Sequence, residues 1–181
     1  MYKPRIGKLL CDGKPVYKSL WPGKKFQLDE WWTYEDHLGQ VWVLPPGFVY
    51  DLASIPAWMA GSLQWGAWNV GAVPHDWAYE YGYLLRVMDG QLEEVPVTKR
   101  QTDDLFADVM FSVGRKIKGS QFWRMQLVYF AVRFFGKGVW IRGRRQSQPL
   151  PPSLGELQWA YERAYDNVDM DSRWGHLVAQ G

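Results

Sequence analysis

The sequence has few of the side chains that hold transition metals or build covalent frameworks: one cysteine, Cys11, and three histidines in 181 residues. A single thiol excludes an intramolecular disulfide framework and a cysteine-ligated zinc cluster. It also makes a reducing cytoplasm the expected compartment. Charge of one sign is equally short, since 21 Lys and Arg against 19 Asp and Glu leave +2. A dedicated nucleic-acid binder normally carries a clear basic excess. No apolar run approaches the ~20 residues that span a bilayer. Met1 to Arg5 is followed by no apolar h-region, so no signal peptide is expected. The nucleophile frame G-x-S-x-G is missing, as are a Walker A loop and a dinucleotide fingerprint.

What is present is a folded composition, 47% hydrophobic and 22% charged. At about 150 residues per domain the length suits one domain with an appendage. The 12 tryptophans are unusual. Rings of that size bury much area in cores and also favour interfaces. Trp31 and Trp32 are adjacent, so in a strand they face opposite sides.

The first half reads as strands. Arg5 to Leu10 and Val16 to Leu20 flank Asp12-Gly13, a hairpin signal. Lys25 to Tyr34 and Gln40 to Leu44 flank a longer loop at residues 35–39, and Phe48 to Tyr50 is a further short strand. The second half reads as helix. Ala67 to Tyr83 is helical by pattern, with Pro74 placing its start late. Leu84 to Pro96 is a loop or hairpin around Asp89-Gly90. Thr98 to Val113 opens on a capping box, Thr98 with Gln101. Ser120 to Phe135 is closed by Gly136. Residues 146–152 are a Pro-rich linker, and Ser153 with Glu156 opens a last helix to about Tyr165. The expectation is an α+β domain over residues 1–145, an N-terminal antiparallel sheet packed by helices. Residues 146–181 follow as linker, helix and tail.

Three polar segments stand out. They are Gly47 to Pro56, with Asp51 and Ser54; His75-Asp76-Trp77-Ala78-Tyr79; and Arg100 to Phe106, with Asp103 on an apolar helix face. A carboxylate on such a face needs a partner, for which Arg100 and His75 are the candidates. At these segments the sequence resembles a phage and prophage family known as domain of unknown function 1353. That family shows G-F-x-x-D-L-A-S-x-P, then H-D-x-x-Y, then D-x-x-F-x-x-x-M, here Gly47 to Pro56, His75 to Tyr79 and Asp103 to Met110. Tyr129, Arg133, Gly136 and Trp140 are similar too, so the resemblance spans roughly residues 40 to 140. Thr102 stands where the family usually has alanine. The resemblance implies a viral or prophage origin and synthesis in the host cytoplasm, with incorporation in the virion open. It brings no activity.

Two functional readings follow. In one, Asp51, His75, Asp76 and Asp103 are ligands of a divalent metal (Mg, Mn or Zn) in a hydrolase-like site. His75, Asp76, Asp103, Ser54 and Arg100 then supply its chemistry on a cell-wall or nucleotide-type substrate. The order of HD phosphohydrolases is formally present as His37, His75-Asp76 and Asp103, but those ligands belong on helices and His37 falls in a hairpin loop. In the other, the same residues are a buried polar network, with His75 bonded to a carboxylate and Arg100 paired with Asp103 or Asp104, in a virion, tail-associated or assembly protein. Its C-terminal helix then docks on the core or on another phage protein. A weaker signal, Lys137 to Arg145 around Trp140, suits nucleic-acid backbone or an anionic membrane surface.

Overall fold

The computed structural model describes residues 1–10, 17–20, 25–51, 67–114, 120–136, 138, 140 and 151–165. Within them lie β1 (Lys8–Leu9), β2 (Tyr17–Leu20), β3 (Lys25–Leu28), β4 (Trp32–Glu35), β5 (Val41–Leu44) and β6 (Val49–Asp51). The helix α1 (Ala67–Tyr81) is followed by β7 (Tyr83–Met88) and β8 (Gln91–Pro96). Three more helices complete the order: α2 (Lys99–Val113), α3 (Ser120–Phe135) and α4 (Leu154–Tyr165). The strands form a five-stranded antiparallel sheet, β1-β4-β5-β7-β8, and a three-stranded one, β2-β3-β6. The class is α+β, as expected.

Two hairpins form where the turn chemistry demands them. Asp36 closes β4–β5: its Oδ1 accepts the Leu38 and Gln40 N–H groups and its Oδ2 accepts Trp42 Nε1–H. Asp89 and Gly90 close β7–β8 with φ of 52° and 78°, the pair of positive values a type I′ turn needs.

Three expectations are corrected. The runs flanking Asp12-Gly13 are not partners: β1 pairs with β4 (Leu9↔Tyr34) and β2 with β3 (Tyr17↔Leu28). The N-terminal arm is drawn elsewhere, because Gly7 donates to Ser112 Oγ on α2 and lies so close to Tyr34 and Glu35 that any Cβ would collide. Residues 11–16, Cys11 included, lie outside the described residues. The run Lys25 to Tyr34 is also two strands in different sheets, broken at the exposed pair Asp29-Glu30. Beyond the break Trp32 is buried in the core, and Trp31 turns out to meet Tyr161 of α4 edge-on at 5.3 Å.

Finally, α1 begins at Ala67 and carries Pro74 inside. An internal proline costs about 3 kcal/mol, and here tertiary packing outweighs it. Gly71 lets α2 approach until an added Cβ would lie 2.7 Å from the Phe106 carbonyl oxygen. Val70, Ala72, Val73 and His75 are all buried around the proline.

One core cluster joins the sheets, α1 and α4; a second joins α2 to α3. The C-terminal helix docks on its own core. Leu157 and Tyr161 are buried, and Gln158 Oε1 accepts the Leu92 N–H of the edge strand β8 at 2.6 Å. No helix among the described residues is long and apolar enough to cross a membrane.

Candidate functional site

The site is built on the first turns of α2. Thr98 and Gln101 form the capping box, which fixes where the helix starts and so which residues face inward. Lys99 and Asp103 then lie one turn apart on the same face. Asp103 is completely buried. Its Oδ2 accepts Lys99 Nζ at 2.6 Å and Arg133 Nη1 of α3 at 3.2 Å. Its Oδ1 accepts the Tyr79 hydroxyl of α1 at 2.9 Å. His75, one turn before Tyr79, brings Nε2 to 3.5 Å from the same oxygen. That is ion-pair distance without hydrogen-bond geometry, and Nε2 is buried without a hydrogen-bond partner.

The surroundings complete the enclosure. His75 Nδ1 lies 3.3 Å from Asp76 Oδ1. The Tyr79 ring covers the imidazole at 4.0 Å, Phe106 approaches it at 5.4 Å, and Trp140 meets Tyr79 edge-on at 4.9 Å. Lys99 also donates to the Val132 and Arg133 carbonyls at 3.2 and 3.0 Å, capping the negative end of α3. Gly136 follows that end so closely that a Cβ there would sit 2.5 Å from the Tyr79 hydroxyl oxygen.

The charges follow from this packing. Burial alone would push the Asp103 carboxyl up, but His75 and Lys99 outweigh it and hold the group below its usual range. Burial alone would pull the His75 imidazole down, but the Asp103 and Asp76 carboxylates outweigh it and raise its pKa. Burial and the Asp103 charge raise the Tyr79 phenol, which therefore stays a donor.

Of the residues expected at the site, His75, Asp76 and Asp103 come together. Arg100 does not join them: it is exposed and its Nε lies 4.0 Å from Asp104, whose Oδ1 also accepts the Tyr129 hydroxyl. Burial and Asp104 push that phenol up to about 12. Asp51 ends β6, a strand against which α1 packs. Ser54 and most of Lys137 to Arg145 lie outside the described residues. His37 is exposed in the β4–β5 turn, so it is not at the cluster.

The partner sequence reasoning missed is Lys99; its i, i+4 spacing to Asp103 was the available signal. A second network was missed as well. The buried carboxylate of Asp108 accepts the Tyr2 hydroxyl at 2.7 Å and the Arg5 backbone N–H at 2.6 Å. Gln126 of α3 exchanges two hydrogen bonds with the Tyr2 backbone. Together they strap the N-terminal arm across α2 and α3.

The donor set at Asp103 does not fit a metal ligand. Both oxygens are engaged, and two of the engaging groups are cations. Among the described residues no group of three His, Cys, Asp or Glu side chains is arranged to hold a metal ion.

Fold and site together define an α+β protein in which three of the described helices, α1, α2 and α3, meet at a buried ionic junction. The chain belongs to the family described as protein of unknown function (DUF1353), which matches residues 26–132, from β3 into the last turn of α3. No curated protein and no solved structure matches it.

Proposed function

We propose that the chain is a non-enzymatic assembly or virion component, of the phage or prophage origin its motifs suggest, and that the Asp103 cluster serves to fix its helices. One observation carries this reading: a fully buried carboxylate whose oxygens are taken by Tyr79, Lys99 and Arg133, residues of three different helices. Such a junction has no exposed face for a substrate to reach at Asp103, and it holds three helices in a single arrangement. Mass spectrometry of purified particles should find the chain. Its absence from them overturns the assembly role.

A second reading is supported by His75, whose imidazole is held between two carboxylates with Nε2 buried and making no hydrogen bond. In it His75 is the general base of a hydrolase-like site and Asp76 orients it, with Asp51, the last residue of β6, and Ser54, three positions on in the sequence, as the further candidates. Elemental analysis and melts with Zn²⁺, Mn²⁺ and Mg²⁺ test the metal-assisted form. One metal per chain, lost in Asp51→Asn, supports it; no metal and no stabilisation by any of the three rejects it.

A further inference from the structure

We propose that the groove between α2 and α3 is a recognition site for an extended segment of a partner protein, and that the N-terminal arm holds it closed in the free chain. The segment it fits carries a tyrosine, an arginine three positions on and an apolar residue next to that arginine.

The groove holds polar side chains that the two helices do not use on each other. Asp108 of α2 and Gln126 of α3 are buried, and among the described residues every side-chain hydrogen bond or ion pair they make goes to the arm. Gln126 accepts the Tyr2 N–H at 3.1 Å and donates to the Tyr2 carbonyl at 2.9 Å. Asp104, Asp108 and Ser112 follow turn by turn along one side of α2. The Tyr2 hydroxyl donates to the Asp104 carbonyl at 3.1 Å and to Asp108 Oδ1 at 2.7 Å. Asp108 Oδ1 also accepts the Arg5 N–H at 2.6 Å, and its Oδ2 lies 3.3 Å from Arg5 Nε. Ser112 Oγ accepts the Gly7 N–H at 3.0 Å.

This divides the work as peptide sites do. Four backbone groups, the N–H and carbonyl of Tyr2 and the N–H groups of Arg5 and Gly7, are taken by side chains of the two helices. Those bonds hold an extended course whatever the sequence. Side chains then select. Tyr2 and Ile6 pack against the second core cluster, while Lys3 and Arg5 between them are exposed, the alternation of an extended segment. Asp108 answers a hydroxyl and a guanidinium, and a segment without them would leave a buried carboxylate short of donors. Residues 1–7 belong to no helix or strand, so the arm can lift while β1 stays paired with β4. Its tether keeps it at an effective concentration of about 1 mM, which a free segment must overcome. This inference goes beyond the proposed function and is tested on the chain by itself.

The probe is an acetylated peptide with the sequence of residues 1–7, labelled with a fluorophore at its C-terminal end. Fluorescence anisotropy should show it binding the full-length Tyr2→Ala/Arg5→Ala variant saturably below about 1 mM, and wild type about tenfold more weakly because the arm competes. Gln126→Leu in the same variant should abolish binding, as should alanine in place of the peptide's tyrosine. Hydrogen exchange on wild type needs no variant to fold: amides of residues 2–7 should exchange by local opening, about a hundredfold faster than those of β7 and β8. Arm amides that exchange only with the strands overturn the proposal, as does a double variant that shows no saturable binding. Equal binding of the alanine peptide overturns it too. A wild-type dimer lost in the double variant would assign the groove to the arm of a second copy instead.

Discussion

Lys99 and Asp103 lie one turn apart on α2, and the ammonium that meets the carboxylate at 2.6 Å also caps the final carbonyls of α3. One cation therefore closes two accounts of unsatisfied charge, a buried anion and a helix end. Removing the anion leaves Lys99 and Arg133 facing each other without it. Asp103→Asn should destabilise the fold by about 3 kcal/mol, which lowers the melting temperature by roughly 6–12 °C in a chain of this size. Lys99→Met should cost less, because Arg133 and Tyr79 still hold Asp103. Calorimetric melts of the two variants check the order. Melts indistinguishable from wild type would rule out the junction.

His75 gives the junction a pH dependence. Its folded pKa is raised above the ordinary 6.5. The folded state thus binds the proton more tightly than the unfolded one, and the added stability is present in full below about pH 6.5. It is lost as pH rises through the raised folded value. The charged groups that face it are Asp76 and Asp103, with Lys99 and Arg133 behind Asp103. Denaturant midpoints should fall from pH 6 to pH 9 in wild type and stay nearly flat in His75→Gln. A wild-type profile as flat as the variant's would contradict the assignment.

Gly136→Ala tests the enclosure without touching a charge. The new methyl would lie 2.5 Å from both the Tyr79 hydroxyl and the Val132 carbonyl oxygen, and 3.3 Å from Lys99 Cε. Overpacking of this kind costs about 1–3 kcal/mol. A double-mutant cycle with Tyr79→Phe should show coupling, since removing the hydroxyl relieves the closest side-chain contact. Additive losses would mean that the glycine matters only to the end of α3.

Elements with local chemistry were legible in the sequence. The capping boxes at Thr98 and Ser153, the Asp89-Gly90 turn and the stop at Gly136 each satisfy or redirect backbone groups within a few residues. What failed depended on distant contacts. Asp12-Gly13 resembles a hairpin turn, yet Gly7 is claimed by Ser112 and the β4 edge, about a hundred and about thirty residues away. Pro74 resembles a helix start, yet Gly71 packs on Phe106 and carries the helix past it. At the site, motif positions located His75 and Asp103. Of the two carboxylates open to Arg100, it meets Asp104 and not Asp103, because one helical position separates an exposed side chain from a buried one, and Lys99 occupies the inward position.

The N-terminal strap yields a further prediction. Tyr2 donates its hydroxyl to Asp108 Oδ1 and to the Asp104 carbonyl, and its ring lies 4.3 Å from that of Tyr129. Tyr2→Phe keeps the ring and removes the hydrogen bonds, leaving Arg5 to hold Asp108. The cost should be about 1–2 kcal/mol. Hydrogen exchange at residues 2–7 should quicken while the β7–β8 amides stay protected. Equal acceleration everywhere would mean that the strap is part of the global fold.

The C-terminal helix protects a sheet edge. β8 ends the five-stranded sheet, and an exposed edge invites pairing with other chains. Gln158 takes the Leu92 N–H through its Oε1 and donates Nε2 to the Gly90 carbonyl, while Leu157 and Tyr161 bury themselves beside it. The helix in turn depends on its cap, Ser153 with Glu156. Ser153→Ala should cost about 1 kcal/mol through the cap alone. Ending the chain at residue 152 should do more: it bares Trp31, Leu92 and the β8 backbone together, so the truncated protein should aggregate on warming before it unfolds. Light scattering recorded alongside the melt separates the two variants. A truncated chain that melts reversibly and stays clear would mean that the helix is an ornament on a sheet already able to guard its own edge.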